Sequence, residues 1–133
     1  MQSSKIKFTY RDYLLLPEGD RRELIEGDFY VVPSPTFNHQ DVVANLGPAL
    51  RHYARAKGFG TVLWAPFDVV LSDEDVVQPD ILYISNERRG IITKNNATGA
   101  PDLVIDSDQL DPDRMLAALC KMYEAGVATG GQS

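Results

Sequence analysis

The chain has one cysteine, Cys120, among its 133 residues. That leaves no partner for an intrachain disulfide and too few thiolates for a cysteine-based zinc cage. Cys120 reads as a small residue beside an apolar helical stripe or, alternatively, as a reactive thiol. No apolar run approaches the ~20 residues a membrane helix requires, so no membrane partner is expected. The first residues, MQSSKIKF, carry no apolar stretch of the secretory kind. A cytoplasmic protein is the expectation. Basic residues are the scarcer charge: 13 Lys and Arg stand against 19 Asp and Glu, a net charge of −6. A broad electrostatic grip on nucleic acid is therefore disfavoured, although a local site is not. The sequence also lacks a glycine-rich phosphate loop, a Gly-x-Ser-x-Gly elbow and a His-Glu-x-x-His pair. Nothing in it points to an organic cofactor. Its two histidines, His39 and His52, lie too far apart along a helix to chelate one ion together.

What is present suits one compact domain over residues 1–133, with 1–7 and 128–133 flexible. The hydrophobic fraction is 44%, and a chain of this length can bury an ordinary core. Residues 9–16 suggest a short helix with Thr9 as N-cap and Asp12 as a capping-box acid, ended by Pro17. Residues 22–32 suggest a hairpin turning at Glu26-Gly27-Asp28. Val42, Val43, Leu46, Leu50, Tyr53 and Ala54 give residues 37–57 a helical period. Within it, Gly47-Pro48 should kink the helix or start a second segment. Strand-like runs follow over 61–71, broken at Pro66, then over 76–84 and 102–106, with a polar loop at 85–100. Asp111-Pro112 opens a last helix over 112–125 whose stripe is Met115, Leu116, Leu119, Met122 and Tyr123. The order implies an α/β (α+β) fold, a mixed sheet flanked by helices.

The chemistry left to such a chain lies in its carboxylates. Asp80 opens the run DILYI and Asp106 closes the run DLVID, so the two acids stand at strand ends that could be neighbours. Alternation would put Asp80 on a face with Gln78 and Leu82, and Asp106 on a face with Asp102 and Val104. An acid so placed is either a solvated strand terminus or a ligand for a hard cation. Magnesium prefers oxygen and often uses one or two carboxylates plus water. Glu23, just before the hairpin turn, is either a third such acid or a surface residue. Asp73, Glu74 and Asp75 read as a solvated turn.

RRELIEGDFYVVPSPTFNHQ (21–40), VVQPDILYIS (76–85), GAPDLVID (99–106) and KMYEAGV (121–127) stand in an order that resembles the Uma-two family. These are restriction-endonuclease-like proteins of the PD-(D/E)xK nuclease superfamily. The resemblance spans about Phe8 to Val127. It implies a restriction-endonuclease-like core, a central mixed sheet with flanking helices. It also implies a Mg2+- or Mn2+-dependent endonuclease site that hydrolyses phosphodiester bonds, in a homodimer, with DNA as a candidate partner and the choice between DNA and RNA open. Carried over, Asp80 and Asp106 are the metal-holding aspartates, Glu23 the early acid, and His39 the histidine opening the long helix. Lys121 or Arg114 is the cation available for transition-state charge.

The sequence departs from the family pattern at several points. Asp106 stands where glutamate is usual. Asp108 takes the place of the motif lysine, where a second carboxylate would repel a phosphate. SDQLDPD adds Asp108, Asp111 and Asp113 where neutral and basic residues are usual. After Ala-Gly-Val the chain is one strand short of the family pattern, so it is expected to be C-terminally shortened, with an exposed edge that self-association would cover. The other reading is therefore a catalytically degenerate member that serves as a dimerising or binding module.

Overall fold

The computed structural model describes residues 6–106. The order of elements is α1 (Tyr10–Tyr13), β1 (Arg22–Ile25), β2 (Asp28–Val31), α2 (Phe37–Lys57), β3 (Gly60–Trp64) and β4 (Asp68–Ser72). It continues with β5 (Asp75–Val77), β6 (Ile81–Ser85), a 3-10 helix (Asn86–Ile91), β7 (Asn96–Ala97) and β8 (Leu103–Ile105). The α+β class expected from the sequence is the class observed. Its strands form two sheets, of five and of three strands. They belong to two compact units of interleaved segments, one from residues up to 34, 67–78 and 91–100, the other from 35–66, 79–90 and 101 onward. The proposed helix at 112–125, with Cys120, lies outside the described residues.

The first unit holds the five-stranded sheet, in the order β2-β1-β5-β4-β7. It is mixed: β4 and β7 run parallel and the other neighbours antiparallel. The β1–β2 hairpin turns where expected, on Glu26 (φ 51°) and Gly27 (φ 79°). Positive φ at both central residues matches the right-handed twist of the flanking strands. A Cβ on Gly27 would also meet Lys7 Cδ at 2.7 Å. Asp75 ties this turn to the β4–β5 turn, accepting the Glu26 N–H (2.9 Å) and the Ser72 hydroxyl (2.7 Å). Those two donors hold its carboxyl below the usual carboxylate range. α1 is shorter than the predicted 9–16 and begins as expected, with the Asp12 carboxylate accepting the Thr9 N–H at 2.9 Å. Tyr13, Leu24 and Val76 form the buried core of this unit, with Tyr10, Leu16, Phe29 and Val70 packed on it.

The second unit packs α2 on an antiparallel sheet ordered β3-β6-β8. Thr36 caps α2, its hydroxyl accepting the His39 N–H at 3.1 Å, and Gly58 ends it in the left-handed conformation (φ 69°). The predicted interruption does not divide the helix: Gly47 and Pro48 lie inside one continuous α2. Pro48 deprives the Ala44 carbonyl of its helical donor. Burial of Leu46, Leu50 and Ala54 against Val62, Ile81 and Tyr83 offsets that loss. Gly47 has its own reason. A Cβ there would stand 2.9 Å from Trp64 Cε3, so only glycine lets the helix approach that ring so closely.

The run 76–84 is not one strand. β5 ends at Val77 in one unit and β6 starts at Ile81 in the other. Pro79, which has no N–H to donate, lies in the gap. The expected shared face of Gln78, Asp80 and Leu82 is lost with it. The loop expected at 85–100 holds the 3-10 helix and β7. In β6, Ile81, Leu82, Tyr83 and Ile84 are all buried, as a strand covered on both faces requires. Leu82→Ala should therefore cost about 2–5 kcal/mol in urea unfolding, the usual range for a fully buried leucine. Leu15→Ala, at a side chain 77% exposed, should stay within about 0.5 kcal/mol.

Candidate functional site

β6 and β8 pair antiparallel with Ile81 opposite Ile105. Asp80 precedes the first of these residues and Asp106 follows the second, so the register sets the two acids at the same end of the sheet. The contact is direct: the Asp80 N–H donates to Asp106 Oδ1 at 3.2 Å. On its other side, the Asp80 carbonyl accepts the Ala65 N–H at 3.1 Å, where the chain leaves β3. Asp80 is thus held through its backbone from both neighbouring strands.

His39, in the first turn of α2, completes the group. Its Nε2 lies 3.5 Å from Asp80 Oδ1, and both side chains are half-buried. The Thr36 cap fixes the start of the helix and so the height of His39. The first turn of a helix favours nearby negative charge, so it favours the Asp80 carboxylate. Asp80, Asp106 and His39 therefore converge, as their places at element ends allowed.

Among the described residues, no three His, Cys, Asp or Glu side chains are grouped as a metal cage. What the site offers is two aspartates held side by side, the Asp106 carboxylate accepting the Asp80 backbone N–H. That donor set fits a hard cation that keeps most of its own water, such as magnesium or manganese. It does not resemble a closed zinc site.

Glu23, in β1, belongs to the first unit, and its Oε2 accepts the Gln78 N–H at 2.8 Å. Lys121, Arg114 and Asp108 lie outside the described residues. Asp102, expected to share a face with Asp106, marks the opposite end of β8 and accepts the Ser85 N–H at 2.7 Å.

The first unit also contains a polar cluster that sequence reading missed. The Tyr13 hydroxyl donates to Asp68 Oδ1 at 2.7 Å, and Gln78 Nε2 donates to both (2.9 and 2.8 Å). Arg21 donates to Gln78 Oε1 at 3.2 Å. The participants lie up to 65 residues apart in the chain, so no local pattern announces them. Burial first, and then the hydrogen bond to Asp68 and its charge, push the Tyr13 phenol well above its ordinary value.

A family model described as "Uma2: Putative restriction endonuclease" matches residues 10–114. Among solved structures, the chain is similar to one from Anabaena variabilis ATCC 29413 described as "a putative nuclease belonging to DUF820". The TM-score is 0.61 at 18% identity, over 86% of this chain and 67% of that one. At that identity the likeness bears on the fold. No curated protein matches. No helix among the described residues is long and apolar enough to cross a membrane.

Two measurements check the clusters. Asp106→Ala removes the acceptor of the Asp80 N–H and should destabilise by about 1–2 kcal/mol, with Asp106→Asn restoring most of it, by thermal or urea unfolding. For Tyr13, the folded-state pKa lies above the unfolded value of about 10. The neutral phenol therefore contributes stability below pH ~10 that is lost as pH rises towards the folded value. The stability gap between wild type and Tyr13→Phe should be constant below pH ~9 and narrow above ~10.

Proposed function

The chain belongs to the Uma2 family, described as putative restriction endonucleases, and from this we propose that it is a metal-dependent endonuclease of phosphodiester bonds. Family membership supports a nuclease-like function. The observation that carries the finer reading is the junction of Asp80 and Asp106 through one N–H, with His39 against Asp80.

In this reading Asp80 and Asp106 hold magnesium or manganese, which supplies a polarised phosphodiester oxygen and a more acidic attacking water. The protein's part is positioning. The Ala65 and Asp80 backbone bonds hold the Asp80 main chain between β3 and β8. His39 orients the Asp80 carboxylate and, when protonated, offsets its charge. Glu23 assists activation of the water, and Lys121 offsets charge in the transition state. DNA is the substrate and the protein acts as a homodimer.

The second reading, a binding or dimerising module without catalysis, is favoured by the absence of a three-ligand group among the described residues. It is favoured too by Asp108 at the place of the motif lysine.

The test is cleavage of single- and double-stranded DNA and of RNA with Mg2+ or Mn2+. Asp80→Ala should lower the rate by about 100-fold or more, the scale for loss of one transition-state charge stabiliser. Undiminished cleavage by that variant would remove the assignment. Without substrate, Mn2+ at 100 times its Kd should raise stability by about 2.7 kcal/mol in thermal unfolding, and Asp106→Ala should abolish the gain. A wild type with neither cleavage nor metal stabilisation is the binding module.

A further inference from the structure

The acidity of the chain is unevenly distributed. The described residues of the first unit carry five Lys or Arg against ten Asp or Glu, a net charge of −5. Those of the second unit carry five of each and are neutral. Within the second unit the charges segregate. Asp41, Asp80 and Asp106 lie where α2 and β6 begin and β8 ends. Arg55, Lys57, Arg88 and Arg89 lie where α2 ends and the 3-10 helix begins, against Glu87 and Asp102.

The segments that carry these four cations are held together by hydrogen bonds from Asn86. The Asn86 N–H donates to the Phe59 carbonyl at 3.1 Å, and its side-chain amide donates to the Gly58 carbonyl at 2.8 Å. The start of the 3-10 helix is thereby pinned to the end of α2. Arg55, Lys57 and Arg89 are exposed and have no carboxylate partner among the described residues. Among the described residues Arg89 donates to the Thr61 hydroxyl, at 3.3 Å. Arg88 lies 3.5 Å from Asp102. Arg55 and Lys57 have a sufficient structural role, since cations in a last turn offset the helix dipole. Arg88 and Arg89 lie outside α2, and that role does not reach them.

We propose that this end of the second unit is a docking surface for the phosphate backbone of a nucleic acid. The inference deepens the nuclease reading and rests on it. β6 separates this end from Asp80 by five residues, about 17 Å. One strand of a duplex carries a phosphate every ~3.4 Å along the axis, so about five phosphates span a distance of that length. The cations would hold the backbone at one end of the unit while the carboxylates meet it at the other. Such an arrangement lets a protein of net charge −6 hold a polyanion. Guanidinium groups suit it, because their planar fork matches phosphate oxygens.

Binding is measured by fluorescence anisotropy on a labelled DNA duplex of about 20 base pairs, in EDTA so that nothing is cleaved. The combined variant Arg55→Gln, Lys57→Gln, Arg89→Gln should bind at least about ten-fold more weakly at low salt. Its slope of log K against log salt should be shallower by about 2–3, at ~0.9 for each phosphate no longer neutralised. The control Lys7→Gln, Lys94→Gln removes charge from the first unit and should leave both quantities unchanged. Unchanged binding by the triple variant, an equal loss in the control, or displacement of the duplex by polyglutamate as readily as by unlabelled duplex would each overturn the proposal. So would failure of the wild type to bind duplex at all. Wild type that binds in this manner but cleaves nothing would refute the nuclease reading and leave the surface standing.

Discussion

In the second unit, β6 is buried along four successive residues, Ile81 to Ile84, and the rest of that unit is arranged around it. β3 pairs with one edge and β8 with the other, while α2 packs Leu46, Leu50 and Ala54 on the face that carries Ile81 and Tyr83. A strand covered in this way cannot slip by one residue without turning its side chains to the wrong faces. The pairing of Ile81 with Ile105 is therefore strongly specified, and with it the meeting of Asp80 and Asp106. The candidate site is a consequence of apolar packing: the acids stand at the first positions beyond the buried run.

The same unit shows how polar ends are managed around such a core. At one end the backbone of Asp80 is satisfied from both neighbours, by Ala65 and by Asp106. At the other, Asp102 accepts the Ser85 N–H and Asn86 reaches the carbonyls of Gly58 and Phe59. Backbone groups past the last ladder bond need such partners. The two ends also differ in charge, with carboxylates beside His39 at one and Arg55, Lys57, Arg88 and Arg89 against Glu87 and Asp102 at the other. A segregation of this kind does not follow from stability alone, since surface charge pairs contribute little.

In the first unit the polar investment is different. Tyr13, Asp68, Gln78 and Arg21 are linked by hydrogen bonds, and Glu23 accepts the Gln78 backbone N–H. Removing a member of this part-buried network leaves its partners short of a hydrogen bond. Glu23 has a structural task here whatever its part in chemistry. The buried residues Leu24 and Val76 lie on paired strands and pack with Tyr13 of this network. The resulting unit combines a small core with many hydrogen bonds, and carries most of the chain's negative charge.

The sequence alone was enough to locate the hairpin turn, both ends of α2, the break at Pro66 and the strand closed by Asp106. Each of these depends on residues close together in the chain: a glycine at positive φ, a threonine cap, a proline, a short apolar run. The ordered motifs also led to the family, now matched over residues 10–114. Of its two readings of Gly47-Pro48, the start of a second segment is excluded, because packing of α2 on the sheet outweighs one lost helical bond. It ran β5 and β6 together, because an apolar run does not record which sheet each part joins. The register that joins Asp80 to Asp106, the approach of His39, the Tyr13 cluster and the gathering of Arg88 and Arg89 with Arg55 and Lys57 came only with the tertiary structure. All of them depend on contacts between residues distant in the chain, and burial of the whole core, not local preference, selects among such contacts.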